Sequence, residues 1–272
     1  RSSGPLGVRL KCRNSTLASR SDGHPTTPAQ GRISTTSKDA TFDPKRTFPE
    51  VLNEPVFAGQ ARGWEALQLS ALAAIRATLP ASTVILTGAD WSSVAGLMAA
   101  TPAPDPDVIY TFHYYDPSEL TSLAAYRPGL DRAALARLPF PEPDPVACER
   151  SAAPVADPAT AGLIRFTCAQ GWTADKVAAR IGEAAAWGRR HDVRLIAGEF
   201  GALAQLNNAA RLTWLSAVRT PCERKGVGWA LWGYDDVMGF NLPRPPGARP
   251  SLDPAVLRTL GLTGATGSRR RP

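Results

Sequence analysis

Two glutamates stand where an apolar run gives way to a turn: Glu54 in "VLNEPVF" and Glu199 in "LIAGEFGA", 145 positions later. Pro55 has no N–H and cannot continue a strand ladder, so a strand in the first run must stop at Asn53 and Glu54. A carboxylate there is either a helix cap or turn residue, or one member of a site. Alone, Glu54 reads better as a cap, so the other strand ends have to decide. Taken in order they present Asn53 and Glu54, Asp90 and Trp91, His113 and Tyr115, Glu199, and Trp232 with Asp235 and Asp236 beyond it. Paired carboxyl groups can work as acid and as base or nucleophile on one bond. Tryptophan faces hold the apolar C–H surface of a sugar ring, and the polar neighbours can fix hydroxyls. Asp90, Asp235 and Asp236 read as caps and stay outside this set.

The elements that must bring these residues together follow from the apolar period. Strand-like runs "FPEVLNEP", "STVILTGADW", "DVIYTFHYYDP", "VRLIAGEFGA" and "GVGWALWGYDD" alternate with helical patterns. The first helix carries Trp64, Leu67, Leu72, Ile75 and Leu79, and the next Val94, Leu97 and Met98. Thr173 caps a helix with Val177, Ile181, Ala184 and Trp187 on one face. A further helix holds Leu212, Trp214, Leu215 and Val218, and the last runs from Asp253 to Leu260. Continuously apolar strands alternating with helices specify a parallel sheet covered by helices, whose ligands bind at the carboxyl ends of the strands. A Pro/Ala-rich excursion over 118–171 interrupts the alternation. Residues 1–46, rich in Ser, Thr, Arg, Pro and Gly, read as an irregular segment; 47–264 form the folded domain and 265–272 a basic tail.

Composition sets the outer bounds. The 272 residues are 43% hydrophobic and 20% charged, enough for one large α/β domain. Much of the +7 charge sits at the two ends, and no basic stretch interleaved with aromatics runs through the middle, which argues against nucleic acid. No run of 18 apolar residues is present to span a membrane. The four cysteines, Cys12, Cys148, Cys168 and Cys222, fit no zinc spacing, and only His24, His113 and His191 could join them, so no metal or other cofactor is expected. Cys148 and Cys168 bracket part of the excursion; they are either a disulfide, implying an oxidising compartment, or free thiols. The Asn14 sequon is too common a pattern to interpret.

In this order and at these separations, "LNEP", "FHYYDP", "IAGEFG" and "GWALWG" resemble the fourth, sixth, seventh and eighth strands of glycoside hydrolase family 5, the cellulase family of retaining (β/α)8 barrels. The resemblance covers about residues 48–262 and implies a TIM-barrel fold with strands four to eight recognisable. It implies Glu54 as acid/base, Glu199 as nucleophile and Asn53 bonded to the sugar 2-hydroxyl. It further implies His113 and Tyr115 as the His-x-Tyr pair, with tyrosine steadying the nucleophile, and Trp232 as the platform under the sugar. Trp91 is carried as a substrate contact, although Trp91 and Trp229 serve equally well as packing between strand and helix. Strand alternation alone would aim Asn53 and Glu54 to opposite sides.

The implied activity is retaining hydrolysis of a β-glycan, most simply an endo-β-1,4-glucanase, in a secreted or periplasmic protein of unspecified oligomeric state. The alternative is a degenerate barrel that binds glycans without turnover. The pattern departs from the family ahead of the fourth strand, where about 47 residues replace three β/α units and Arg9 in "GVRL" is the only candidate for the family's arginine. The expectation is an incomplete barrel whose edge strands expose unpaired backbone groups and apolar surface.

Overall fold

The computed structural model describes residues 46–57 and 59–262. Arg9, Cys12, Asn14, His24, nearly all of the 1–46 segment and the 265–272 tail lie outside the described residues. Four strands form one parallel sheet: β1 (Val84–Thr87), β2 (Val108–Tyr114), β3 (Arg194–Phe200) and β4 (Gly228–Leu231). They lie side by side in chain order. A doubly wound sheet reverses its order at a switch point, whereas an unbroken progression is the winding of a (β/α)8 barrel, of which these strands are an arc.

The helix layer follows from alternation along β2. Tyr110 packs edge-on against Trp187 of α7 (Ala174–Arg190), with ring centroids 5.2 Å apart, and Tyr114 stacks on Trp214 of α8 (Asn208–Arg224) at 6.2 Å. Thr111 and His113 therefore face the other side, toward the barrel interior. Thr173 caps α7 as its sequence implies, accepting from Lys176 N, and Asp253 caps α9 (Pro254–Thr259).

The expected strand in "FPEVLNEP" does not form. It is reduced to one parallel bridge between Glu50 and Ile85, with Ile85 N donating to Pro49 O and Val51 N to Ile85 O. Pro49 and Pro55 remove donors on either side of that bridge, which limits pairing to the residues between them. Beyond it the edge of β1 is closed by side chains of α1 (Ala61–Thr78): Thr87 N donates to Gln68 Oε1 at 2.8 Å, and Trp64 Nε1 donates to Thr87 O at 2.8 Å. The expectation of unpaired backbone groups thus fails on this edge, because a helix supplies the partners that a neighbouring strand would supply. The same helix departs from its expected face: Gln68 is buried and Leu67 is exposed.

The 118–171 excursion is a helical insertion. It contains α3 (Ser118–Thr121), α4 (Arg132–Leu135), α5 (Pro145–Ala152) and α6 (Pro158–Ala169). Asp131, Asp144 and Asp157 cap the last three, and proline opens α5 and α6, where its missing N–H costs nothing. Cys148 and Cys168 are joined in a disulfide between α5 and α6, with Cα atoms 5.7 Å apart. Cys222 is a buried free thiol, pushed up to about 12 by burial. Among the described residues no helix is long and apolar enough to cross a membrane.

Glu142 lies under this disulfide, 3% exposed, and burial pushes its carboxyl up to about 7. Its Oε2 is 2.8 Å from Cys148 Sγ. A disulfide sulfur carries no hydrogen, so this contact is a hydrogen bond only when Glu142 is protonated and donates. Between its ordinary value of 4.5 and about 7 the folded chain holds a proton that the unfolded chain has released. Stability must fall as pH rises through that window, by on the order of 2 kcal/mol. Urea unfolding at pH 4.5 and 7.5 will show this slope in the native chain and a shallower one in Glu142→Gln; equal slopes would remove Glu142 as its source.

Candidate active site

Glu199 reaches the barrel interior through a bulge. Phe112 pairs with Ala197 but His113 pairs with Glu199, so β3 carries one residue, Gly198, more than β2 across this interval. The shift recurs against β4, where Ala197 faces Trp229 and Phe200 faces Leu231. A bulge of this kind re-aims a side chain. Here Gly198 and Glu199 both turn inward, and Phe200 returns to the helix layer against Trp214 and Trp229. Gly198 is required by space: a Cβ there would lie 2.1 Å from Thr111 Oγ1.

Glu54 arrives by a different route. Its φ of 49° lies in the left-handed region, just past the single bridge at Glu50. The chain has left strand geometry, so alternation no longer separates Asn53 from Glu54, and both line the same cleft. That cleft, of about 340 Å³, is walled by Asn53, Glu54, Tyr115, Ser122, Glu199, Trp232 and Met238.

His113 ties the two carboxylates together. Its Nδ1 lies 2.8 Å from Glu54 Oε1 and 3.4 Å from Glu199 Oε2. Where Glu54 Oε1 is unprotonated it can only accept, and Nδ1 is then the donor. Tyr115 O–H donates to Glu199 Oε2 at 3.3 Å. Burial, and then the charges of Glu199 and Glu54, hold the Tyr115 hydroxyl well above the ordinary phenol range, so it remains a neutral donor. One oxygen of Glu54, one of Glu199 and a ring nitrogen of His113 all lie within 4.8 Å of one another. In geometry this trio could hold a cation, but the hydrogen bonds from Nδ1 and Tyr115 already occupy the same atoms. Glu142, Cys148 and Cys168 form the other such cluster among the described residues, and there the two sulfurs are spent on the disulfide.

Of the residues singled out from sequence, Asn53, Glu54, His113, Tyr115, Glu199 and Trp232 meet at this site. Trp91 does not join them. Its backbone N donates to Pro55 O at 3.1 Å, which places it beside the Glu54 segment, but its side chain is 56% exposed and forms no part of the cleft wall. Left-handed φ values at Asp90, Trp91 and Ser92 carry the chain around a tight turn here, which a strand-end count cannot foresee. Trp229 serves as packing, edge-on to Phe200 with Nε1 3.4 Å from Glu223 Oε1. Two wall residues escaped the sequence reading. Ser122 follows α3, and Met238 is set by Ala202 N donating to Met238 O and Ala204 N to Val237 O. Only the position of Met238, shortly after Trp232, carried any signal.

Two carboxyl groups lining one cleft with a tryptophan, at the carboxyl end of singly wound parallel strands, mark the candidate site of a partial (β/α)8 barrel. The family model for cellulase, glycosyl hydrolase family 5, matches residues 43–236, and the chain belongs to that family. Endoglucanase 3 of Fibrobacter succinogenes is 28% identical over 195 residues, which cover 69% of this chain and 29% of that protein. Endoglucanase Cel5A of Thermotoga maritima superposes with a TM-score of 0.63 at 21% identity, over 83% of this chain and 63% of that one. The cellulose synthase subunit Z (CcsZ) of Clostridioides difficile gives 0.62 at 21% identity, with 83% and 63% covered. The chain thus spans under a third of the curated relative and under two thirds of each of these two structures.

The bulge predicts a sharp response at one position. Gly198→Ala forces its Cβ into Thr111 and should cost about 2–3 kcal/mol in urea unfolding. Combining it with Thr111→Ala should recover part of that loss, a non-additivity that double-mutant analysis will read directly. Additive losses would show that the two sites do not press on each other.

Proposed function

We propose that this chain is a retaining β-glycan hydrolase, most specifically an endo-β-1,4-glucanase. The observation that carries the reading is the carboxylate pair, with oxygens within 4.8 Å across a cleft walled by Trp232. An inverting pair stands roughly 6.5–9.5 Å apart to admit a water, whereas a retaining pair is closer, about 5–5.5 Å. Glu199 attacks the anomeric carbon and forms the glycosyl-enzyme ester. Glu54 gives its proton to the departing oxygen, and in the second step takes one from the water that cleaves the ester. Tyr115 and His113 hold Glu199 in place, Asn53 meets the hydroxyl next to the anomeric carbon, and Trp232 carries the ring.

The glucan assignment is supported by the activities for which the relatives are named, endoglucanases among them. Thermotoga maritima Cel5A has been crystallised with both cellobiose and mannotriose, so mannan is the substrate to test beside cellulose. The Cys148–Cys168 disulfide supports a secreted or periplasmic location, since such bonds persist in oxidising compartments.

Assays on carboxymethyl cellulose, mannan and a chromogenic cellobioside will decide the activity. Proton NMR of the first-formed anomer will decide the stereochemistry, with retention expected. Glu199→Ala and Glu54→Ala should each lower kcat by about 1,000-fold or more, since each removes a group bonded to the reacting atoms. Glycan binding by the native chain with no hydrolysis would replace this reading with that of a binding barrel.

A further inference from the structure

We infer that Thr111 is a positioning residue for His113, acting through one bound water beneath the carboxylate pair. The inference rests on the hydrolase reading for its kinetic consequence but not for its structural one. Thr111 and His113 lie two positions apart on β2 and face the same side of the strand. Thr111 is 2% exposed and His113 is 5% exposed. Among the described residues, neither Thr111 Oγ1 nor His113 Nε2 has a hydrogen-bond partner. Buried polar atoms this deep are as a rule hydrogen-bonded, to protein or to ordered water.

Both atoms face Gly198. The point where a Gly198 Cβ would stand is 2.1 Å from Thr111 Oγ1 and 3.8 Å from His113 Nε2, so the two atoms are at most the sum of those reaches, 5.9 Å, apart. At water's bent angle two hydrogen bonds through one water span about 4.5 Å, a separation those reaches allow. A water is stable in such a place when it has two to four polar neighbours. Ser92 is joined to the same residue through the backbone: its carbonyl accepts from His113 N at 2.8 Å, and its buried Oγ is likewise without a partner among the described residues.

The consequence is a choice of tautomer. Nδ1 faces the two carboxylates, and when it donates to Glu54 Oε1 a neutral His113 accepts at Nε2. A hydroxyl-held water that donates to Nε2 stabilises that form and keeps the ring from turning its donor away from Glu54. Without it, the imidazole is free to place its proton on Nε2, and Glu54 Oε1 loses the partner 2.8 Å away.

Thr111→Val removes the hydroxyl at nearly the same shape, and Thr111→Ser retains it. Long-range proton–nitrogen spectra of full-length, histidine-labelled protein should show His113 protonated at Nδ1 in the native chain and in Thr111→Ser, and a mixture of tautomers in Thr111→Val. On carboxymethyl cellulose, Thr111→Val should lose about tenfold in kcat with KM little changed, while Thr111→Ser stays within about twofold. Circular dichroism checks folding, and Thr111→Ala is read the same way should the valine variant not fold. The inference is overturned by a native-like tautomer in Thr111→Val, by a doubly protonated His113 in the native chain, or by Thr111→Ser failing as badly as Thr111→Val. Should the native chain hydrolyse nothing, the hydrolase reading falls, and the nitrogen spectra alone still decide the role of Thr111.

Discussion

Glu199 faces the cleft because β3 holds one more residue than its neighbours on either side, and that extra residue can only be glycine. In a regular ladder Gly198 would pair with His113, and Glu199 with Tyr114, a residue of the helix layer. The extra residue moves Glu199 opposite His113 instead. It also restores Phe200 to the aromatic packing against Trp214 and Trp229. The space for the bulge is set by Thr111, whose hydroxyl occupies the volume that any Cβ at position 198 would need. Core packing and site geometry are therefore one constraint: β3 cannot be straightened without withdrawing the carboxylate, nor filled without pushing β2 away.

The other side of the site depends on how the sheet ends. A buried backbone donor or acceptor without a partner costs about 1–3 kcal/mol, so an arc of barrel is tolerable only where its edge groups are satisfied. On the β1 edge this is done by Pro49 O and Val51 N at Ile85, and by Gln68 and Trp64 at Thr87. The segment bearing Asn53 and Glu54 is tethered to the backbone of the sheet by the first pair, then turns through the left-handed conformation of Glu54. It is further held by Trp91 N on Pro55 O and by His113 Nδ1 on the Glu54 carboxylate itself. The Glu54 side of the pair thus hangs from a short segment, whereas Glu199 is built into a central strand.

This difference marks what the sequence could and could not convey. Capping residues act within one turn of chain, so Thr173, Asp253 and the Asp-Pro pairs were readable where they stood, and so were the apolar runs of β1 to β4. The convergence of Glu54, His113, Tyr115 and Glu199 followed from placing each at a strand's end and from the family resemblance. What failed was whatever depended on distant partners. Leu67 fits the helical period, yet Gln68 is buried in its place because a strand edge needs an acceptor. Trp91 sits at a strand end, but a run of left-handed residues turns it outward. Neither the bulge at Gly198 nor the left-handed Glu54 leaves a periodic trace, because each is a break in a period.

The hydrogen bonds also divide labour between the two carboxylates, independently of any resemblance. Glu199 Oε2 accepts from Tyr115 O–H and lies 3.4 Å from His113 Nδ1, and its side chain is 6% exposed. Glu54 Oε1 shares the histidine donor alone, and its side chain is 27% exposed. A nucleophile must be held ionised and still at a fixed distance from the anomeric carbon, which the Tyr115 donor and an enclosed setting favour. An acid that becomes a base must exchange its proton once per half-reaction with a leaving oxygen and then with water, which calls for access to solvent. Exchanging the roles would ask the enclosed carboxylate to trade protons and the tethered, half-open one to hold a covalent ester. Under the hydrolase reading proposed above, the difference in exposure fits attack by Glu199 and proton transfer by Glu54.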